Sequence, residues 1–427
     1  MNLRKSLLFL AGQFGLMGTV RFFFQWIVDF VHAPPAESEG PPLFPVALVG
    51  MVLLAFKVLD AVSDPVAGLA ADRWVASGRK RHTLLYFTFM LPPIGLTLVF
   101  SPTHAMTPGL RWALLIFGMI TFFFGYTAFA IPFWSLVEDY SQRDPKARSR
   151  LSTLLGLGTL IATTVAFVIT PILVDAYGFA VAGMTMAALS LCLMPCAFRA
   201  APDDMAGPEK RQRIPGSRDL IKTVLKDRRY MAVLCVFAGS QMAFSILGAA
   251  APFIAVNLLK GARSDVALIL GPLIGAAIPC LAWTPKLSRR FGWERCIVVA
   301  SVALGFVYFT TAVLGLFAIG SFIGTAVVLF AFSGPLSAVL LGLEGEAIAS
   351  CAEKNGGQAV SLYFGAYNFA TKSLNGVAIA YTAGLVALSD KGWGDTAIRL
   401  AGPSGGFCLL AGVVLYILFK PKAGGIR

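Results

Sequence analysis

The chain has 427 residues, of which 57% are hydrophobic and 13% charged, with a formal net charge of +13. A soluble domain normally carries about a quarter charged residues, so the composition excludes a soluble globular protein and indicates one embedded in lipid. The positive charge lies in short loops between apolar stretches, which is typical of loops facing anionic lipid and excludes nucleic acid as the partner.

Apolar stretches of about 20 residues or more recur along the chain, and each can cross a membrane as a helix. The twelve predicted spans are 6–31, 44–70, 83–102, 110–137, 151–175, 178–199, 230–257, 266–284, 296–316, 320–348, 358–386 and 398–419. Most Lys and Arg residues lie in loops on the same side as the two termini. Because basic loops face the cytoplasm, we predict a multi-pass protein of a cytoplasmic (bacterial inner or plasma) membrane with both termini cytoplasmic.

A polar stretch at residues 200–229 divides the spans six and six. We therefore predict an all-α membrane protein with two six-helix bundles, at residues 1–199 and 230–427, joined by a cytoplasmic linker. Within this linker, Ser217 can cap a short amphipathic helix whose basic side chains suit a lipid-headgroup surface. The simpler interpretation is a tether between the bundles.

The second span carries three ionisable residues, Lys57, Asp60 and Asp64. Their spacing puts them on one face of a helix, and an ionisable side chain inside a membrane is costly unless it is paired or hydrated. Lys57 can neutralise only one carboxylate, so the remaining charge suits a bound Na⁺ or a proton shared within the pair. Pro65 also frees a backbone carbonyl nearby. The alternative is a structural ion-pair network between helices.

Two basic turns occupy equivalent places in the two halves. Gly68–Arg81 reads Gly-x-x-x-Asp-Arg followed by Gly-Arg-Lys-Arg, and Pro285–Arg295 is a partial counterpart. The first motif resembles the cytoplasmic loop motif of the major facilitator superfamily. The resemblance implies two related six-helix halves around a central cavity, with transport by alternating access.

Three further segments resemble one branch of that superfamily, the glycoside–pentoside–hexuronide:cation symporters, which include melibiose permease. They are Asp60–Pro65, Ile131–Leu136 and Asn368–Lys372. The resemblance implies a cation site, for Na⁺ if the protein is sodium-coupled, with Lys372 close by. The residues implied for this site are Asp60, Asp64, Ser63 and Thr127.

The chain departs from this branch where the family binds sugar. Gly15–Gly18 offers no counterpart of the carboxylate in the first span, and Ala130 stands where an Asp precedes Ile131 in the melibiose permease pattern. Buried sugar hydroxyls need strong hydrogen-bonding partners. We therefore predict a solute other than a simple galactoside.

The first span instead carries Arg21, with Gln25 one turn further and Gln13 elsewhere on the same helix. A guanidinium beside the cavity favours a carboxylate, sulfate or phosphate, which predicts an anionic or amphipathic solute. The alternative is that Arg21 pairs with Asp29 or with another acidic group. The predicted solute-binding residues are Arg21, Gln25, Gln13, Trp134, Lys372 and Lys57.

Acidic side chains also lie near the cytoplasmic ends of the fourth and tenth spans, where we predict ion pairs that hold one transport state. A role in stabilising loops is the alternative. The predicted gating residues are Glu138, Asp139, Arg73, Asp72, Glu344 and Glu346.

The sequence thus predicts a monomeric secondary transporter that couples Na⁺ or H⁺ to the symport of a small organic solute. Its partners are that solute and membrane lipid, and no cofactor is expected beyond the coupling ion. Lysolipid transport and drug export remain alternatives, and a membrane scaffold would have no need of charges inside its spans. The sequence shows no nucleophile triad, phosphate loop or metal cluster, so we do not expect an enzyme.

Overall fold

The computed structural model is helical along almost all of the chain that it describes. The described residues are 3–33, 41–141, 145–201, 226–316, 321–354 and 360–420. In lipid every backbone amide and carbonyl needs an internal partner, and a helix supplies these partners within a single apolar segment. The predicted amphipathic helix around Ser217 lies outside the described residues.

The helices follow the predicted spans in chain order. In the first half they are α1 (Leu3–His32), α2 (Val46–Ala76), α3 (Arg81–Thr88), α4 (Leu91–Val99), α5 (Pro108–Ser141), α6 (Pro145–Thr164), α7 (Thr170–Leu193) and α8 (Cys196–Ala200). In the second half they are α9 (Arg228–Phe253), α10 (Val266–Phe291), α11 (Trp293–Thr310), α12 (Phe322–Lys354), α13 (Val360–Leu388), α14 (Asp395–Arg399) and α15 (Ala401–Phe419).

Proline and glycine interrupt two of the predicted spans. The third span is two short helices, α3 and α4, because Pro92 and Pro93 supply no backbone amide to bond with the turn before them. The fifth span bends through a π-helical turn at Val165–Ile169, just before Pro171. The boundary between the fifth and sixth spans lies at Gly178, whose φ of 78° turns the chain.

Ten segments of the described chain are long and apolar enough to cross a membrane. One of them, Thr153–Ala200, has 48 residues and contains both the fifth and the sixth predicted spans. Helix α13, at the eleventh predicted span, is not among the ten. The all-helical, multi-pass architecture is therefore confirmed, whereas the number of twelve spans stays a prediction.

The helices form two compact units. The first comprises Met1–Pro45 and Val58–Gln212, and the second comprises Val46–Lys57 and Arg213–Arg427. In the first unit α1 packs on α6 and α7 while α4 packs on α5, and Phe23 stacks on Phe122 with ring centroids 4.5 Å apart. In the second unit α9 packs on α15 and α10 on α12.

Candidate functional site

Asp60 and Thr127 form the centre of the predicted cation site. Thr127 Oγ1 on α5 donates a hydrogen bond of 2.8 Å to Asp60 Oδ1 on α2, and both residues are almost fully buried. Ser63 Oγ donates to the Asp60 carbonyl at 2.9 Å and lies 3.4 Å from Thr127 Oγ1. Three of the four predicted cation residues are therefore in contact, and half-buried Asp64 follows Asp60 by one turn on the same face.

Asp60, Ser63 and Thr127 meet through carboxylate, carbonyl and hydroxyl oxygens. Carboxylate and hydroxyl oxygens are the ligands that hard cations prefer, and a carboxylate can instead take a proton. Pro65 lies within α2, and because it has no amide hydrogen, the carbonyl of Ala61 loses its usual helical partner. That carbonyl lies between the two carboxylates along the chain, so the arrangement can hold either Na⁺ or a proton.

The two predicted membrane lysines belong to one pair of helices in the second unit. Lys57, at the end of the Val46–Lys57 segment, is 7% exposed and packs directly against Gly376 of α13. A Cβ at Gly376 would lie 2.7 Å from Lys57 Cβ, so the glycine allows this close approach. Lys372 precedes Gly376 by one turn of α13 and therefore lies on the same face.

Gln13 and Trp134 are joined in a hydrogen-bond chain through three helices of the first unit. Trp134 Nε1 on α5 donates to Gln13 Oε1 on α1 at 3.0 Å. Gln13 Nε2 in turn donates to Thr159 Oγ1 on α6 at 2.9 Å. Gly158 leaves room for this chain, because a Cβ there would lie 2.8 Å from Gln13 Cγ. The buried Gln13 amide is thus already satisfied by protein groups on both sides.

Unlike Gln13, neither Arg21 nor Gln25 has a side-chain hydrogen bond to another described residue. Among the described residues, Arg21 forms no hydrogen bond or ion pair, not even with the buried Asp29, and its side chain is exposed. Gln25 is 3% exposed, and neither atom of its amide has a hydrogen-bond partner within the described chain. These two polar groups, one turn apart on α1, leave donors and an acceptor available.

The predicted gating residues are only partly described. The side chains of Asp72, Glu138 and Asp139 lie outside the described part, and Arg73 is exposed.

Glu344 and Glu346 on α12 accept hydrogen bonds of 3.0 Å from Gln241 and Ser288, respectively. Neither carboxylate pairs with a basic side chain among the described residues. Their predicted part in gating ion pairs stays a prediction.

A cluster that the sequence did not single out joins three helices of the second unit. Glu294 on α11 pairs with Arg229 on α9 at 2.8 Å and with Lys420 after α15 at 2.6 Å. Tyr416 also donates to Glu294, at 3.1 Å. The signal for this cluster in the sequence is an acidic residue at the start of one apolar span and basic residues at the ends of two others.

Two comparisons of sequence bear on these residues. A profile of the family described as MFS/sugar transport protein matches residues 44–402. The uncharacterized symporter YjmB of Bacillus subtilis (strain 168) is 25% identical over 268 residues. That alignment spans 60% of this chain but only 56% of the length of YjmB.

Three solved structures share the fold. An auto-inhibited POT family peptide transporter has a TM-score of 0.70 at 12% identity, covering 99% of this chain and 98% of that one. The POT family transporter PepTSo has a TM-score of 0.69 at 10% identity, covering 98% and 97%. A bacterial homologue of the human lysosomal transporter Spinster, inward-facing and occupied, has a TM-score of 0.68 at 12% identity, covering 98% and 95%. At such low identities these likenesses bear on the fold alone.

The family match extends over most of the chain, including the helices that carry Asp60, Thr127 and Lys372. The fold likenesses extend over nearly all of it, and the apolar helices make it a multi-pass integral membrane protein. The chain therefore belongs to the MFS/sugar transport protein family of the major facilitator superfamily.

Proposed function

We propose that this protein is a secondary transporter that couples a cation, Na⁺ or H⁺, to the symport of a small organic solute by alternating access. The proposal rests on one observation above all, the buried contact between Asp60 and Thr127 inside apolar helices. The family match supports transport, and the relative described as a symporter supports symport.

The energetics favour a functional role for Asp60. A charged side chain at the centre of a membrane helix costs about 2.5–3.5 kcal/mol on insertion scales. Thr127 and Ser63 supply neutral oxygens around Asp60, and Asp64 adds a second carboxylate one turn away. A coupling cation offsets this concentration of negative charge, so we propose Asp60, Asp64, Ser63 and Thr127 as its ligands.

The solute proposal rests on Arg21 and Gln25. A buried amide without a partner costs about 1–3 kcal/mol, and Gln25 recovers this energy when a bound solute or water occupies its donors and acceptor. Arg21 adds a positive charge one turn away, which favours a carboxylate, sulfate or phosphate. We therefore propose an anionic or amphipathic solute. Lys57 and Lys372 stay candidate solute-binding residues within the second unit.

Gln13 and Trp134 have a different part in this proposal. Their polar atoms bond to each other and to Thr159, so they hold the wall of the solute site in place. Solute contact through the indole ring of Trp134 is compatible with these bonds, because only its N–H is used.

Topology and location complete the proposal. We propose twelve membrane spans, two six-helix bundles at residues 1–199 and 230–427, and both termini in the cytoplasm. The protein then lies in a cytoplasmic membrane as a monomer, with lipid and solute as its partners. We also propose a gating role for acidic and basic residues near the predicted cytoplasmic ends of the spans, namely Arg73, Asp72, Glu138, Asp139, Glu344 and Glu346.

Uptake into liposomes tests the proposal. The purified protein is reconstituted and given a Na⁺ gradient or a pH gradient, with acidic sugars, neutral sugars, organic anions and lysolipids as solutes. We expect gradient-driven uptake of an acidic or amphipathic solute, lowered roughly tenfold or more in Asp60→Asn, which removes the charge of the cation site.

The matched control is Asp175→Asn, because Asp175 is an exposed carboxylate on α7. This variant keeps wild-type uptake. Uptake in Asp60→Asn with an unchanged dependence on the imposed cation gradient would overturn the proposal.

A further inference from the structure

Helix α12 carries a carboxylate inside its apolar span, Phe322–Cys351. In sequence, this span is far from α2 and α5, where the cation site is proposed. Glu344 is half-buried, and its Oε2 accepts a hydrogen bond of 3.0 Å from Gln241 Nε2 on α9. Gln241 lies more than three turns into α9, well inside the apolar segment Arg228–Leu258. The carboxylate is thus held at a defined place between membrane-spanning helices.

A phenol completes the surroundings of Glu344. Tyr367 on α13 is 3% exposed, and its side chain faces both Glu344 and Gln241. The Tyr367 hydroxyl has no partner at hydrogen-bond distance and angle among the described residues. A buried hydroxyl of this kind can donate to an ionised carboxylate or accept from a protonated one, and it needs only a small movement to do either.

The groups that face Glu344 are neutral. Gln241 is the polar group from α9, and Tyr367 is the titratable group from α13. Lys372 follows Tyr367 by five residues, which puts it about 140° further round α13 and therefore on a different face of the helix. No cationic side chain of the described chain acts on Glu344.

Helices α10 and α11 also pack on α12, but their polar groups are directed to a different carboxylate. Ser288 of α10 donates to Glu346, and the Cys296 thiol of α11 is coupled electrostatically to Glu346. Glu346 is therefore the carboxylate with polar neighbours from α10 and α11, whereas Glu344 has the amide and the phenol.

We infer that Glu344 is a proton-binding site in the second unit, separate from the cation site at Asp60. A hydronium ion releases its proton, and a new O–H bond forms on Glu344 Oε1 while Gln241 continues to donate to Oε2. Tyr367 Oη accepts a hydrogen bond from the new acid; when the proton returns to water, Tyr367 donates to the carboxylate instead. The neutral acid removes an unpaired charge from the membrane span.

This proton site does not depend on the proposed function, because a carboxyl group can bind a proton whether or not the protein carries a solute. Only its part in energy coupling rests on symport. If Glu344 exchanges its proton during transport, H⁺ moves through the second unit while Asp60 and Asp64 remain available to Na⁺.

Infrared difference spectroscopy of the full chain in liposomes tests the inference without any solute. Wild-type protein is titrated between acidic and alkaline pH, and the C=O stretch of protonated carboxyl groups is followed. We expect Glu344→Gln to lose one component of that band, whereas the matched variant Glu346→Gln keeps it. A full wild-type band in Glu344→Gln would overturn the inference.

A second variant keeps the inference testable if Glu344→Gln does not fold. Tyr367→Phe preserves the carboxylate but removes one hydrogen-bonding neighbour, so the same band component shifts in frequency. An unchanged frequency in Tyr367→Phe would equally overturn the inference. Because neither readout measures transport, failure of the proposed symport would appear separately, in the liposome uptake assay.

Discussion

Replacing Thr127 with valine removes a hydroxyl that donates to the Asp60 carboxylate at 2.8 Å and keeps a side chain of similar shape. Both partners are at most 3% exposed, so water does not readily replace the lost bond. A hydrogen bond to a charged group contributes about 1.5–3 kcal/mol. If Thr127 orders the site for the bound cation, this energy corresponds to a loss of cation affinity of roughly 10- to 150-fold.

The assay is the cation concentration that half-saturates a thermal shift of the purified protein, measured for Na⁺ at fixed pH and for H⁺ at fixed Na⁺. Thr127→Ser is the control, because it retains the hydroxyl, and it stays within a few-fold of wild type. An unchanged response to both cations in Thr127→Val would refute the role of the Asp60–Thr127 contact in cation binding.

Two further predictions concern packing and charge in the second unit. Gly376→Ala destabilises the protein by about 1–3 kcal/mol, because the new Cβ would lie 2.7 Å from Lys57 Cβ. The control is Gly384→Ala on the same helix, where a new Cβ has no atom within 4 Å, so its effect on stability is neutral or favourable. Thermal unfolding in detergent measures both, and equal stabilities would contradict the contact. Glu294→Gln lowers stability by about 1 kcal/mol, less at high salt, because it weakens a partly buried ion cluster. The control is Asp395→Asn, which removes the exposed ion pair with Lys260 and changes stability by less than about 0.5 kcal/mol. A loss of stability in Glu294→Gln that does not depend on salt would contradict the electrostatic explanation.

The multi-pass helical fold could be predicted from the sequence because hydropathy and helical hydrogen bonding in lipid leave few alternatives. Interruptions within spans were harder to predict. Pro92 and Pro93 lie inside a stretch whose hydropathy reads as one helix, although their missing amides break it into α3 and α4. Hydropathy therefore predicts where a chain enters the membrane better than it predicts whether the helix is continuous.

The candidate site shows the same contrast. The shared face of Asp60 and Asp64 follows from helical periodicity. The contact of Asp60 with Thr127 depends instead on how α2 packs on α5, which only the family resemblance suggested. The bonds of Gln13 could not be predicted from spacing, because they join three helices that are distant in sequence. Likewise, the hydrogen bond that Glu344 accepts from Gln241 joins helices far apart in sequence, so spacing could not predict it.

The bond between Trp134 and Gln13 has a practical consequence. Trp134 follows Thr127 by seven residues on α5, so the two positions share a face and lie about 10 Å apart along the helix axis. Its N–H is held by Gln13, which fixes the orientation of the ring and makes its surroundings sensitive to small movements of α1 against α5. The protein thus carries a native fluorophore on the helix that contributes Thr127 to the candidate cation site. The chain has seven tryptophans, so the part of the emission that a Trp134→Phe variant loses can report on occupancy without an attached dye.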